Sequence, residues 1–228
     1  MSSPAHADAD AVELRVLGCL IEKQRTTPEV YPLSLNSLRL ACNQSTNRDP
    51  VVAYDESTIR AALDRLSRKG WARLTSGPGS RAAKFRHLFG EALRLSDEEV
   101  ALLCVLMLRG AQTPGELKQR TQRLHPFASL DELDAVIEVL IERELVRRLP
   151  RRPGQKEVRY EQLLGEGGAA TASSPVGEDE DVRTRVADEA SDADDDRLAE
   201  IERALRELRA EVAELRAELA SARSHEGA

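Results

Sequence analysis

The side chains able to do nucleophilic or metal chemistry are few and scattered in this chain of 228 residues. The three cysteines, Cys19, Cys42 and Cys104, form no Cys-x-x-Cys pair, so neither a zinc knuckle nor a disulfide framework is indicated. The four histidines form no pair with metal-ligand spacing. We interpret the cysteines as packing residues, since two fall in apolar helical segments and Cys42 at a predicted helix end. A reactive thiol at Cys42 is the alternative left open.

The motifs that mark common enzyme classes do not occur in the sequence. It has no Gly-rich phosphate loop, no His-Glu-x-x-His sequence and no nucleophile elbow. Paired acids such as Glu98-Glu99 fall in predicted first helical turns, where the helix dipole already favours negative charge. The sequence therefore predicts a protein that is not an enzyme and needs no cofactor or metal.

Basic side chains, by contrast, cluster in patterns suited to binding an anion. Arg60, Arg65 and Arg68 occupy outward positions of one predicted helix. Two further basic stretches follow, comprising Arg81, Lys84 and Arg86, and then Arg147, Arg148, Arg151, Arg152 and Lys156. Guanidinium and ammonium groups bind phosphate oxygens, and arginine also pairs with guanine edges. These residues form the predicted DNA-binding surface.

Another predicted helix has the opposite charge. Its outward positions include no basic residue before Arg143 and five acids, namely Asp131, Glu132, Asp134, Glu138 and Glu142. Carboxylates repel phosphates, so we expect this helix to stay out of a DNA groove. Two roles remain open for this region: phosphate contact through the basic turn that follows the helix, or docking of the acidic helix onto a protein partner.

These clusters belong to two segments with the same order of elements. In the first, a capping box at residues 10–13 opens a helix, Ser34 caps a second, and a third runs from Asp55 to Lys69. The residues of the second helix predicted to face inward are Leu35, Leu38, Leu40 and Ala41.

The second segment repeats this order with capping boxes at residues 96–99 and 113–116 and a third helix opened by Ser129. The helix that ends at Arg109 is so apolar that we expect it to be central. In the third helix, the residues predicted to face inward are Leu130, Leu133, Val136, Ile137 and Leu140.

A two-stranded hairpin is predicted after each third helix. Segments 71–74 and 84–88 flank a Ser-Gly-Pro-Gly-Ser turn, and segments 145–149 and 157–160 flank a Pro-Arg-Arg-Pro-Gly turn. Three helices followed by a hairpin are the plan of the winged helix, a helix-turn-helix with a wing.

Charge divides the chain. Residues 1–164 carry 25 basic and 22 acidic side chains, a net of +3, whereas residues 165–228 carry 8 and 18, a net of −10. Residues 165–196 hold two arginines against eleven acids and almost no large apolar residue, so burial cannot offset their ordering entropy. This segment is a predicted disordered acidic linker.

A heptad seam follows the linker and predicts a coiled-coil helix over residues 197–223. Its apolar residues alternate at spacings of three and four: Leu198, Ile201, Leu205, Leu208, Val212, Leu215 and Leu219. In a parallel pair, three of the four flanking contacts join opposite charges, as in Arg197 with Glu202. This pattern predicts a homodimer through the C-terminal helix, with a trimer left open.

The predicted fold class is mainly α with short β-hairpins (α+β). It consists of tandem winged-helix domains at residues 10–90 and 91–164, followed by the disordered linker at 165–196 and the coiled-coil helix at 197–223.

Several specific motifs within residues 11–164 point to one family. They include Glu13-Leu-Arg-Val-Leu-Gly18, Tyr31-Pro-Leu-Ser-Leu-Asn36, Ala41-Cys-Asn-Gln44, Asn47-Arg-Asp-Pro-Val51, Leu124-His-Pro-Phe-Ala128 and Pro150-Arg-Arg-Pro-Gly-Gln-Lys156. In these motifs the chain resembles the YceH-like family of bacterial proteins. The resemblance implies a tandem winged-helix protein and brings no established activity; the linker and the leucine seam lie outside it.

The sequence predicts a soluble, cytoplasmic protein with no membrane partner. No apolar run reaches the roughly 20 residues of a membrane span, and residues 1–10 lack a basic-then-apolar signal sequence. The predicted function is non-enzymatic binding of double-stranded DNA, with a role in transcription regulation. The alternative is a protein-interaction module of the ScpB type, because a net charge of +3 is small for a DNA-binding body.

Overall fold

The structure is a computed structural model that describes residues 9–75, 83–151 and 157–165. Within these residues the architecture is mixed α+β, with seven α-helices and two small antiparallel sheets. The helices are α1 (Ala11–Thr26), α2 (Leu35–Cys42), α3 (Glu56–Arg68), α4 (Phe89–Leu93), α5 (Asp97–Arg109), α6 (Pro114–Arg120) and α7 (Leu130–Glu142). No helix among these residues is long and apolar enough to cross a membrane.

The helix starts follow the predicted caps. Capping boxes form at Asp10, Ser96 and Thr113, where each cap and the glutamate three residues later exchange hydrogen bonds. Ser34, Asp55 and Ser129 cap α2, α3 and α7 by accepting a backbone N–H three residues on. The short helix α4 was not predicted.

The first sheet confirms the first predicted hairpin. It has the order β1-β3-β2, with β1 (Leu33–Ser34), β2 (Ala72–Leu74) and β3 (Lys84–His87). Strand β1 was not predicted, because its strand partner in the described part of the chain is β3, about fifty residues away in sequence.

The second sheet corrects the second predicted hairpin. Its strands are β4 (Val146–Arg148) and β5 (Tyr160–Gln162), so the returning strand lies beyond most of the predicted segment 157–160. Tyr160 explains this position, because it is buried and exchanges two backbone hydrogen bonds with Gln112, at 2.8 and 3.0 Å. Tertiary contacts therefore set this strand.

Two residues predicted to face inward are exposed. Leu40 is 56% exposed and Leu130 is 47% exposed, whereas Leu38, Ala41 and Leu133 are buried. Leu40 lies two residues from Leu38 and so points to nearly the opposite side of α2. Leu130 begins α7, ahead of its first buried turn.

One hydrophobic core extends through the first half of the described region (residues 10–90) and the second half (residues 91–164). Helix α5 is buried along most of its length, as predicted, and packs against α1. The contact is close at Gly18, where an added Cβ would lie 2.8 Å from the Leu108 side chain. The two halves therefore form a single packed body.

Candidate nucleic-acid interface

The connection between α2 and α3 fixes the start of the helix predicted to contact DNA. The Asn43 side-chain amide donates to the Tyr54 carbonyl and its Oδ1 accepts from the Tyr54 N–H, both at 2.8 Å. Asp55 then caps α3 by accepting from the Thr58 N–H at 2.7 Å, a hydrogen bond that lowers the pKa of the Asp55 carboxyl. The N-terminus of α3 is thus held at two adjacent residues.

Arg48 is the buried centre of this connection. Its guanidinium forms a fork with the Glu22 carboxylate, at 2.5 and 2.9 Å. Its remaining donors reach the carbonyls of Ala41 and Asn47 and the side chain of Gln44, at 2.8 to 3.1 Å. These polar residues therefore stabilise the connection rather than offer an exposed reactive group.

The same connection is tied to both halves of the body. Arg15, on α1, donates to the carbonyls of Cys42 and Pro50 at 3.2 and 2.6 Å. The Asp49 N–H donates to the Leu108 carbonyl on α5 at 2.8 Å. The position of α3 is therefore set relative to both α1 and α5.

All three cysteines are free and buried in the core. Burial raises the pKa of the Cys104 thiol. A hydrogen bond with Cys19, together with burial, raises the pKa of Cys42. Burial also acts to raise the pKa of Cys19, but its hydrogen bond with Cys42 and the nearby charge of Arg48 leave that pKa lowered. Cys42 and Cys104 are therefore buried, protonated thiols and poor nucleophiles, which agrees with the packing interpretation for these two residues.

Helix α3 presents two of the predicted contact residues to solvent. It buries Ile59, Ala62, Leu63 and Leu66. Arg60 and Arg68 lie on the exposed side, together with Ala61 and Asp64. Neither arginine has a hydrogen-bond or ion-pair partner among the described residues. Both guanidinium groups are available to an external anion.

Arg65 lies in a different environment. Its guanidinium is 2.6 Å from Asp10 Oδ2 and 3.5 Å from Glu13 Oε2, and Lys69 Nζ is 2.7 Å from Glu13 Oε1. The Glu13 side chain is only 2% exposed, so these ion pairs join α3 to the start of α1. The guanidinium group of Arg65 is therefore already engaged in ion pairs within the protein.

The β2–β3 hairpin brings three basic residues to one face. Arg73 lies directly opposite Arg86, and Lys84 is two residues along β3 on the same side. Arg86 is 2.9 Å from Glu91, whereas Arg73 and Lys84 have no partner in the described part of the chain. Arg73 was not among the predicted contact residues, although strand alternation and the hairpin register would have selected it.

Much of the positive charge of the second hairpin is paired with carboxylates of the hairpin and of α7. Arg147 lies opposite Glu161 in the β4–β5 register and its Nε donates to that carboxylate. Arg148 donates to Glu138 on α7 at 2.6 Å. Arg151 is exposed and has no partner among the described residues.

Helix α7 exposes the five predicted acidic positions, Asp131, Glu132, Asp134, Glu138 and Glu142. Three predicted contact residues, Arg81, Arg152 and Lys156, lie outside the described residues. So do the seven apolar residues of the predicted seam, Leu198, Ile201, Leu205, Leu208, Val212, Leu215 and Leu219.

A polar cleft of about 500 Å³ lies between the end of α1, the end of β3 and the start of α5. His87 Nε2 lies 2.6 Å from Gln24 Oε1, and Arg25 pairs with Asp97 at the cleft. Burial lowers the pKa of His87 to about 4, so its imidazole is neutral at pH 7. In the described ranges, no group of three residues suited to holding a metal ion occurs.

Comparison with known proteins assigns the chain to a family. Residues 9–155 match the family described as "Protein of unknown function, DUF480". A "UPF0502 protein" of Opitutus terrae is 52% identical over 170 residues, which cover 73% of this chain and 74% of that protein. Proteins of the same name from Citrifermentans bemidjiense and Geotalea daltonii are 55% and 50% identical, covering 69% and 84% of this chain and 74% and 85% of those proteins. These matches confirm the resemblance to an uncharacterised bacterial family: the chain belongs to the DUF480, or UPF0502, family.

Proposed function

We propose that residues 10–90 and 91–164 are tandem winged-helix domains and that the first of them binds double-stranded DNA. The order of three helices and a hairpin occurs in both halves. Helices α3 and α7 each have 13 residues and bury their fourth, eighth and eleventh positions. Each is followed by a residue with positive φ, Gly70 or Glu144, and then by a strand. These shared details support two copies of one domain plan.

Available positive charge favours the first half as the DNA-binding part. In a helix-turn-helix protein the third helix of such a unit enters the major groove, and other basic groups contact the phosphate backbone. Arg60 and Arg68 on α3, and Arg73 and Lys84 on the hairpin, are exposed and lack partners among the described residues.

The cross-strand pair of Arg73 and Arg86 carries the proposal. Like charges directly opposite each other destabilise a hairpin, and Lys84 adds a third positive charge to the same face. A phosphate group bound at this face would offset the repulsion through charge-assisted hydrogen bonds. The ion pair of Arg86 with Glu91 offsets part of this repulsion, but Arg73 and Lys84 have no such partner among the described residues, so the face still favours an anionic backbone.

The remaining parts of the proposal rest on the sequence. A coiled coil at residues 197–223 joins two chains, so that two DNA-binding halves act together as a non-enzymatic regulator of transcription in the cytoplasm. Replacing Leu205 and Leu208 with Glu places like charges in the seam and should dissociate the assembly. Light scattering at several concentrations measures this, and a wild-type mass that stays monomeric at every concentration contradicts the coiled coil.

A salt titration of the full chain with short random-sequence duplex DNA tests the DNA-binding proposal. If about four cations contact phosphates, the affinity should fall about a hundredfold between about 50 and 200 mM salt. A poly-anion of a different backbone, such as heparin, should compete for the same surface. No binding at low salt, or affinity independent of salt, would overturn the proposal.

Helix α7 favours a second candidate function, in which this protein is an interaction module of the ScpB type that docks a protein partner instead of DNA. Its exposed face carries five carboxylates, and the exposed apolar side chains Leu130 and Val139 lie on the same helix. This combination disfavours phosphate contact and suits a partner surface that is basic and partly apolar.

Matched photo-crosslinkers separate the two functions. Ala61 and Ala135 are both exposed and both occupy the sixth position of their helices, α3 and α7. A crosslinking residue at Ala61 should give adducts with DNA in cells, whereas the same residue at Ala135 should not. A discrete protein adduct at both positions, without DNA, would favour docking as the function of the whole body.

A further inference from the structure

We infer that α3 reads a guanine–cytosine sequence in the major groove, with Arg60 on guanine and Asp64 on a nearby cytosine. This inference rests on the proposed DNA binding and deepens it by naming the class of target site.

The residues assigned to base contacts are side chains of α3 that lack an ion-pair partner among the described residues. Arg60, Asp64 and Arg68 are spaced four residues apart on the exposed side of α3, and none has an ion-pair partner among the described residues. Arg65 and Lys69, the other cations in and beside this helix, are held by Asp10 and Glu13. The free stripe therefore alternates positive, negative and positive.

The negative charge at the centre of this stripe determines the chemistry. A carboxylate facing phosphates is repelled, but in the major groove it accepts a hydrogen bond from the N4 amino group of cytosine. An arginine beside it donates two hydrogen bonds to O6 and N7 of guanine. Asp64 is therefore compatible with a DNA-facing helix when it reads cytosine.

Helix geometry places the two contacts close together on DNA. Residues four apart on a helix are separated by about 6 Å along its axis, and stacked base pairs are about 3.4 Å apart. Arg60 and Asp64 thus reach bases within about two base pairs of each other.

Arg68 has a different role on the same helix. It is the last residue of α3 and lies farthest from the N-terminal part, which supplies base contacts in helix-turn-helix proteins. It precedes the hairpin that carries Arg73 and Lys84. We therefore assign Arg68 to the phosphate backbone, where it adds affinity without sequence preference.

Selection from a random duplex library with the full chain tests this assignment. The wild type should enrich sites that contain guanine and cytosine within two base pairs. Arg60→Ala should lower the guanine preference about tenfold to a hundredfold. Asp64→Asn should change the cytosine preference to adenine, because the asparagine amide matches the N6 and N7 groups of adenine.

Arg68→Ala is the matched control, since it removes a charge from the same exposed face. It should weaken binding to all sequences equally and leave the preferred site unchanged. Wild-type binding without base preference, or an unchanged preference in both Arg60→Ala and Asp64→Asn, would overturn the inference while leaving DNA binding intact. No binding of any duplex would overturn both.

Discussion

The two halves of the body contain equivalent ion pairs that have the same structural role. In the first half, Lys69 follows α3 and lies 2.7 Å from Glu13, the capping-box glutamate of α1. In the second half, Arg143 follows α7 and lies 2.8 Å from Glu99, the capping-box glutamate of α5. Both pairs join the end of a third helix to the start of the first helix of that half, so these charges serve the fold.

Other equivalent positions differ in charge. Arg60 and Arg68 are the fifth and thirteenth residues of α3, and Asp134 and Glu142 occupy these positions in α7. The contrast shows that the two halves share a framework but differ on their outward surfaces.

The two hairpins show the same contrast in their cross-strand pairs. Arg73 faces Arg86 in the first hairpin, whereas the equivalent Arg147 faces Glu161 in the second. The second hairpin lies in the more basic stretch of the sequence. Its residues Arg147 and Arg148 are nevertheless paired with carboxylates of the protein. Counting basic residues therefore misjudges which surface can bind an anion, because only unpaired charges are available.

The largest expected effect is on stability and concerns the connection before α3. Arg48→Ala leaves the Glu22 carboxylate without its buried partner and should lower the free energy of unfolding by about 3 to 5 kcal/mol. Arg60→Ala, at an exposed position of the same half, should change it by less than about 0.5 kcal/mol. Chemical denaturation of both variants measures the difference.

A small loss of unfolding free energy in Arg48→Ala would contradict this role for the ion pair.

The equivalent connection in the second half is held differently: buried Phe127 packs in the core, and the Thr121 hydroxyl donates to the Leu117 carbonyl at 2.7 Å.

The second prediction compares the two halves in DNA binding. Replacing Arg60, Arg68, Arg73 and Lys84 with Ala should weaken binding about a hundredfold at low salt. The salt slope should fall by about three, because Arg68, Arg73 and Lys84 are the residues assigned to phosphates. Replacing Asp131, Asp134 and Glu142 with their amides should not weaken it, because those carboxylates repel phosphate. Arg65 and Glu138 stay unchanged in both variants, since each holds an ion pair. Equal losses from the two sets would show that the wrong helix had been assigned to DNA.

Local signals made much of the fold predictable. The caps at Asp10, Ser96 and Thr113 were correct because each depends on residues only three apart. The first hairpin was also correct, since its turn sequence marks the connection. The predicted position of β5 was wrong, because this strand depends on hydrogen bonds to the backbone of Gln112, far away in sequence.

The candidate site was less predictable, because whether a basic side chain can bind an external anion depends on its ion-pair partners elsewhere in the sequence. Nothing in the local sequence shows that Arg65 pairs with Asp10, 55 residues away, or that Arg148 pairs with Glu138. Arg73 was missed because it becomes part of a basic face only through its strand register with Arg86. Ion pairing and strand register therefore determine which basic side chains are available to bind an anion.

The third prediction concerns His87, at the junction of the halves. Its folded-state pKa of about 4 lies below the ordinary value of 6.5, so between these values the unfolded chain binds a proton that the folded protein excludes. The free energy of unfolding should therefore fall by about 2 to 3 kcal/mol as the pH is lowered through this window. His87→Gln should remove most of that fall, whereas His125→Gln, in the second half, should retain it. Urea denaturation across the window measures both, and an identical fall in His87→Gln would exclude His87 as its cause.

The smallest expected effect concerns the acidic linker at residues 165–196. If its eleven acids compete with phosphate for cations on the body, converting them to amides in the full chain should tighten random-duplex binding by about threefold to tenfold at low salt. The same conversion can be made in the variant that lacks Arg60, Arg68, Arg73 and Lys84. If the linker covers these first-half cations, the tightening should disappear there, because the competed charges are gone. If it covers the second hairpin through Arg151 and its neighbours, the tightening should persist. Fluorescence anisotropy on the four proteins distinguishes the two outcomes, and unchanged affinity after conversion of the acids in the otherwise wild-type chain excludes shielding of either half.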